Sequence, residues 1–152
     1  MKPTFRTERT DAQNEDFKSL VEILDAELTI RDGDDHDFYH QFNGLADIKY
    51  VVLVYQDNIP VACGAIKKFD HDTMEIKRMF VPLAHRRHGY AMQVLLALQA
   101  WALELGFTKC ILETGYAQPE AIALYHKAEF KIIENYGQYA GIGNSICFGK
   151  DL

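Results

Sequence analysis

The sequence predicts a mixed α/β fold, a central sheet with helices on both faces. Three observations lead there. Short runs rich in β-branched and apolar residues recur along the chain, bounded by Asp, Asn, Pro and Gly. Between some of them the apolar spacing switches to three and four, the helical period. The connections also differ in kind. Tight turns force neighbouring strands antiparallel, whereas strands joined through a helix can lie parallel. At 152 residues the chain makes one domain, residues 1–152, long enough for a sizeable core.

Taken in order, residues 4–9 suit a first edge strand. Residues 11–30 read as an amphipathic helix with Phe17, Leu20, Val21, Leu24 and Leu28 on one face. Asp32, Gly33, Asp34, Asp35 and Asp37 form an acidic turn, either a solvated loop or an attractor for a cationic acceptor. Residues 38–45 suit a short second helix. Strands at 50–55 and 60–68, turned by Asp57-Asn58, make a hairpin, and His71-Asp72 turns the chain into a strand at 75–81. Pro82 stops that strand because it has no N–H to give the ladder. The next helix carries Val94, Leu95, Leu98, Trp101, Ala102 and Leu105, and Gly106 closes it with a left-handed cap. A strand at 109–113 follows, then a helix from Pro119 to about Ala128, with Pro in its first turn. Strands at 130–134 and 145–148 close the order βααβββαβαββ.

The hydrophobic content of 48% is that of an ordinary globular protein. The net charge of −6 argues against a nucleic-acid partner, which needs a dense basic face, and fits a cationic substrate better. No apolar run has membrane-spanning length, and Lys2, Arg6 and Arg9 alternate with polar residues where a signal peptide would be apolar. A cytoplasmic protein without a membrane partner is the expectation. Cys63, Cys110 and Cys147 are odd in number and each sits among strand-like neighbours, the pattern of buried free thiols. The pairs His36/His40 and His85/His88 lack Cys or Glu partners at metal-motif spacing, so no metal is expected.

The densest signals lie at residues 75–91. The strand Glu75-Ile76-Lys77-Arg78-Met79-Phe80-Val81 runs through a short loop into Arg86-Arg87-His88-Gly89-Tyr90-Ala91, where a helix opens. A helix start offers unpaired N–H groups and a partial positive charge. Gly89 lets a ligand approach the backbone, and Arg86 and Arg87 add charge. The combination suits a diphosphate; the alternative is a merely solvated basic helix entry.

Arg-x-x-Gly-x-Ala after a strand and a Pro resembles the acetyl-CoA loop of the GNAT superfamily of N-acetyltransferases, usually Arg/Gln-x-x-Gly-x-Gly/Ala. Downstream, Ala121-Ile122-Ala123-Leu124-Tyr125-His126-Lys127-Ala128-Glu129-Phe130 is similar to that family's Ala-x-x-Leu-Tyr-x-x-x-Gly-Phe. The two matches stand in the right order, with a helix and a strand between them, and the resemblance covers about residues 48–150.

The resemblance implies a mostly antiparallel central sheet and acetyl-CoA as cosubstrate. It implies that the cofactor arm lies along Met79, Phe80 and Val81, one of whose N–H groups polarises the thioester carbonyl. The diphosphate would sit over Arg86, Arg87, His88, Gly89, Tyr90 and Ala91, with Gln118 where the family usually has Asn. Glu75 stands eleven residues before Arg86, the offset of the catalytic glutamate in the histone-acetylating branch, and is the candidate general base, directly or through water. An ordinary glutamate, with a pKa of ~4.3, is a weak base, so burial would have to raise it. The alternative is a structural carboxylate paired with Lys77 or a neighbouring strand. Tyr125 is the candidate general acid, or else a buried aromatic of the helix.

Acceptor contacts are implied near Tyr39, Gln41, Phe42 and Asn43 and in Tyr136-Gly137-Gln138-Tyr139. The expected acceptor is a primary amine of a small molecule such as an amino acid, a polyamine or an aminoglycoside-like drug. A protein N-terminal or lysine acetyltransferase and a non-catalytic acyl-CoA sensor remain as alternatives, and a homodimer stays open. Glu129 departs from the family, where Gly precedes Phe130. A left-handed backbone would strain Glu, so this helix is expected to end another way.

Overall fold

The computed structural model describes residues 2–33 and 48–152. The expected second helix, with Tyr39, Gln41, Phe42 and Asn43, lies outside the described residues, as do Asp34, Asp35 and Asp37. The elements are β1 (Phe5–Thr10), α1 (Glu15–Asp32), β2 (Tyr50–Gln56), β3 (Ile59–Lys68), β4 (Thr73–Phe80), α2 (Tyr90–Glu104), β5 (Lys109–Gly115), α3 (Pro119–Lys127), β6 (Lys131–Ile133) and β7 (Ser145–Asp151). β4 starts two residues earlier than expected and β7 runs three residues further.

The seven strands form one sheet in the order β1-β2-β3-β4-β5-β7-β6. Every pairing is antiparallel except β4 with β5. β2 shows how alternation builds both faces: Val51, Leu53 and Tyr55 pack with α1, while Val52 and Val54 pack with α2. On the first face Phe17, Leu20, Val21 and Leu24 of α1 complete the core; on the second it is Val94, Leu95, Leu98 and Ala102 of α2, with Tyr125 of α3. Gly64 lets α2 lie close to β3. A Cβ there would stand 2.5 Å from Met79 Sδ and 2.7 Å from Val94 Cγ1.

Local chemistry sets the helix ends. Asn14 caps α1 by accepting from the Phe17 N–H at 3.0 Å. α2 ends in a Schellman motif: Gly106 has φ +94°, its N–H donates to Leu103 O at 3.0 Å, and the Phe107 N–H donates to Ala102 O at 3.0 Å. α3 ends the same way, which corrects the sequence-based expectation. Glu129 sits at φ +69°, its N–H donating to His126 O and that of Phe130 to Tyr125 O, both at 3.0 Å. The turn that brings Phe130 back onto the core outweighs the strain on Glu.

Two irregularities position the site. β4 pairs with β5 only from Thr73 to Glu75, opposite Lys109 to Ile111; beyond that the strands part, and β5 continues beside β7 as far as Gly115. β4 also bulges against β3, with the register shifting between Cys63 and Ala65 and Arg78 at φ +59°. The buried Arg78 guanidinium donates to Asp25 of α1 at 2.7 Å, which ties the bulge to the helix above it. All three cysteines are free and buried, as expected. No helix among the described residues is long and apolar enough to cross a membrane.

Candidate active site

The wedge left where β4 and β5 part is a cleft of about 740 Å³. Glu75, at the point of parting, and Met79, Phe80 and Val81 line one wall, and Glu113, Thr114 and Gly115 line the other. α1 contributes Leu24, Glu27, Leu28 and Arg31, and α3 contributes Glu120, Ala121, Leu124 and Tyr125. Among the described residues no strand pairs with β4 on this side past Glu75. The backbone edge is thus open to an extended ligand arm.

The loop from β4 to α2 borders the same cleft. Leu83–His85 form a single 3-10 turn, closed by the His85 N–H donating to Pro82 O at 2.8 Å. Arg87 then takes φ +69° and Gly89 φ +80°, which turns the chain into the start of α2. Arg86, Arg87, Gly89, Tyr90 and Ala91 all line the cleft. The Tyr90 ring is buried and its hydroxyl donates to Gln56 at 3.3 Å, so what Tyr90 offers a ligand is its backbone. His88 is not among the lining residues; it is exposed, its ring 5.6 Å from that of Tyr90.

Arg86 is engaged from two sides. Its Nε donates to Val81 O at 2.8 Å, and its Nη2 donates to both Glu27 oxygens at 2.9 Å. Glu27 also pairs with Arg31 at 3.2 Å, and Arg31 reaches Glu120 at the start of α3. Four alternating charges therefore run from the loop through α1 to α3, across the gap between the cleft walls. Their place at the helix entry pointed to Arg86 and Arg87 as a pair of charges; it carried no information on this counter-ion.

At the point of parting, Glu75 is 7% exposed and accepts a hydrogen bond from the Tyr136 hydroxyl at 2.6 Å, with Lys77 Nζ 4.0 Å away. Burial lowers the Lys77 pKa, and the Glu75 carboxylate opposes that shift. Burial also raises the phenols of Tyr125, Tyr136 and Tyr139; the Glu113 carboxylate adds to the first, Glu75 to the second and both to the third. All three are neutral donors near pH 7. Tyr136 packs edge-on against Phe69 at 5.2 Å and Tyr139 at 5.7 Å.

Of the residues singled out from the sequence, Glu75, Tyr125, Gln118, Met79, Phe80, Val81 and Tyr139 share this cleft with the loop, and Tyr136 joins it through Glu75. Tyr39, Gln41 and Asn43 lie outside the described residues. Sequence reasoning missed Glu113, Glu27, Arg31 and Glu120. Glu113 carried a local signal, a carboxylate directly after the apolar run Cys110-Ile111-Leu112, and so did Glu27 with Arg31, an i,i+4 pair of opposite charges on one helix. Among the described residues, Asp70, His71 and Asp72 alone gather three metal-type donors, within 4.8 Å of one another. Asp70 and Asp72 accept hydrogen bonds that close their turn, from the Asp72 N–H at 3.1 Å and the Thr73 hydroxyl at 2.8 Å.

The acetyltransferase (GNAT) family model matches residues 17–130. The uncharacterized N-acetyltransferase YsnE of Bacillus subtilis is 35% identical over 92 residues, 59% of this chain and 61% of its own length. The probable N-acetyltransferase 14 of Xenopus tropicalis is 27% identical over 136 residues, 88% of this chain but 65% of its own length, so part of each relative has no counterpart in the match. A Klebsiella pneumoniae structure described as an acyl-CoA N-acyltransferase superimposes with a TM-score of 0.81 over 98% of both chains at 24% identity. A GNAT family acetyltransferase from Elizabethkingia anophelis, solved with acetyl-CoA bound, superimposes with a TM-score of 0.70 over 97% of this chain and 98% of its own at 18% identity.

Proposed function

The chain belongs to the acetyltransferase (GNAT) family, and on that premise we propose that it moves an acetyl group from acetyl-CoA directly to a primary amine of a small molecule. The observation that carries the reading is the cleft itself. A strand edge that no described strand pairs with past Glu75, a helix start bordered by arginines, a buried carboxylate and a buried phenol all open into one space. The open edge of β4 suits the extended pantetheine arm, and the N–H groups at Gly89 to Ala91 suit the diphosphate. Coenzyme A is bound in fold neighbours that share this architecture, which supports acetyl-CoA as the cosubstrate.

The chemistry divides among this chain's residues. An amine with a pKa of ~10.4 is about 0.1% neutral near pH 7.4, so freeing its lone pair costs roughly 4 kcal/mol. Glu75 is the proposed base: directly or through one water it takes a proton from the ammonium, the freed nitrogen then attacks the thioester carbon, and the proton that the nitrogen sheds as the amide forms balances the one the leaving sulfur gains. A β4 N–H supports the developing oxyanion. As the C–S bond breaks, Tyr125, neutral and buried, donates toward the sulfur. The carboxylates Glu75 and Glu113 both face the cleft, which supports a cationic acceptor.

The test is release of free thiol from acetyl-CoA against a panel of amino acids, polyamines and peptides. Turnover with at least one small amine is expected, and Glu75→Gln should lower it about 100-fold. Binding of coenzyme A without turnover on any acceptor would replace the enzyme reading with that of a sensor.

A further inference from the structure

We propose that Tyr136 is a positioning residue for the base: its hydroxyl holds one oxygen of the Glu75 carboxylate, so that the other oxygen takes the proton from the acceptor amine. The inference rests on the reading of Glu75 as the base and deepens it.

The geometry that leads here is long-range. Tyr136 and Glu75 are 61 residues apart in sequence, yet the hydroxyl donates to Glu75 Oε2 at 2.6 Å, the short distance of a bond to a charged acceptor. The segment between β6 and β7 is anchored to deliver it. Asn135 Nδ2 donates to Ile142 O at 2.9 Å and to Ser145 O at 3.1 Å, which ties the root of the segment to the start of β7. The Tyr136 ring is then held between Phe69, just past β3, and Tyr139. Three parts of the chain thus meet around one phenol.

The bond also survives the reaction. A phenol that stays neutral can donate to Oε2 while Glu75 is ionised and again after Oε1 has taken a proton, because a carboxyl group keeps an acceptor oxygen when protonated. Tyr136 therefore fixes which oxygen works without having to let go. The other groups around Glu75 are Lys77 on its own strand, Lys67 opposite it on β3, Ile111 beside it on β5, Cys147 on β7, and Tyr139. Glu113 acts on this cluster through Lys77 and Tyr139.

Tyr136→Phe keeps the ring and removes only the hydroxyl. Two readouts follow in the variant. kcat/KM for the acceptor amine falls about tenfold, the worth of a hydrogen bond to a charged group. kcat falls about tenfold with KM for acetyl-CoA unchanged. A kcat and an acceptor kcat/KM that both match wild type overturn the proposal. In a Glu75→Gln background, Tyr136→Phe should lower turnover no further; an additional tenfold fall would mean that Tyr136 acts elsewhere. Wild-type turnover in Glu75→Gln alone would dismiss the base itself, so the two failures are separable. Should Tyr136→Phe not fold, Phe69→Leu loosens the same ring from a half-exposed position and should lower kcat in smaller measure, again with KM for acetyl-CoA unchanged. A wild-type kcat there overturns the proposal.

Discussion

Tyr125 is buried to 5% exposure, and both desolvation and the Glu113 carboxylate hold its phenol in the neutral form. Such a phenol is a steady hydrogen-bond donor and a reluctant acid. Moving its proton completely to a thiolate of conjugate pKa ~8.5 is uphill, by about 1.36 kcal/mol for each pKa unit between them. In the proposed mechanism its contribution is thus largest as the C–S bond breaks, when charge grows on sulfur. Tyr125→Phe should lower kcat about 100-fold with KM for acetyl-CoA within a factor of two, measured by thiol release; unchanged kcat would remove Tyr125 from the chemistry. The residue types at 75 and 125 were legible in the sequence because two motifs at fixed offsets marked them. Glu129 was misread: its φ of +69° is set by the Schellman turn that returns Phe130 to the core, a tertiary demand. Glu129→Gly should therefore stabilise the fold by about 1 kcal/mol, raising Tm by roughly 2–4 °C for a domain of this size. A lower Tm would mean that the Glu side chain returns more than its backbone costs.

At the scale of elements, the cleft exists because β4 and β5 pair over only three residues each before parting. α1 and α3 stand on either side and are joined by Arg86, Glu27, Arg31 and Glu120. Partly exposed pairs of this kind contribute little to stability, ~0–1 kcal/mol each. Their weight falls on binding. Glu27 occupies the guanidinium that the diphosphate reading assigns to phosphate, so the two anions compete for Arg86. Glu27→Gln should tighten acetyl-CoA binding about threefold by calorimetric titration, with little change in Tm. A weaker Kd would show that Glu27 instead aims Arg86 at its ligand. Only the i,i+4 link of Glu27 to Arg31 was legible in the sequence; Glu27 and Arg86 are 59 residues apart and neither residue signals the other.

For the molecule as a whole, the buried weak acids set an alkaline limit. Burial pushes the Cys63 and Cys110 thiols from an ordinary 9.0 up to about 12, and Cys147 up to about 11. Below pH 9 the folded and unfolded chains both keep these protons, and stability is untouched. Above it the unfolded chain releases them and the folded chain cannot, so stability falls until the folded values are reached. Cys63 and Cys110 alone cost up to roughly 3 kcal/mol per pH unit in that window. The raised tyrosines join from about pH 10. Against a typical 5–15 kcal/mol of total stability, unfolding monitored by circular dichroism should occur below pH 12, and the thiols should resist labelling at pH 8 until the protein is denatured. Rapid labelling of native protein would contradict this burial. The sequence by itself determined the element types, the helix entry at Gly89 and the carboxylate and phenol at 75 and 125, because periodicity, turn chemistry and motif spacing are local. Only the tertiary structure decided that β7 slips between β5 and β6, that Arg78 bulges, and that Tyr136 meets Glu75 while Glu27 takes Arg86. Those contacts join residues dozens of positions apart, and their energy depends on the packed whole rather than on any stretch of chain.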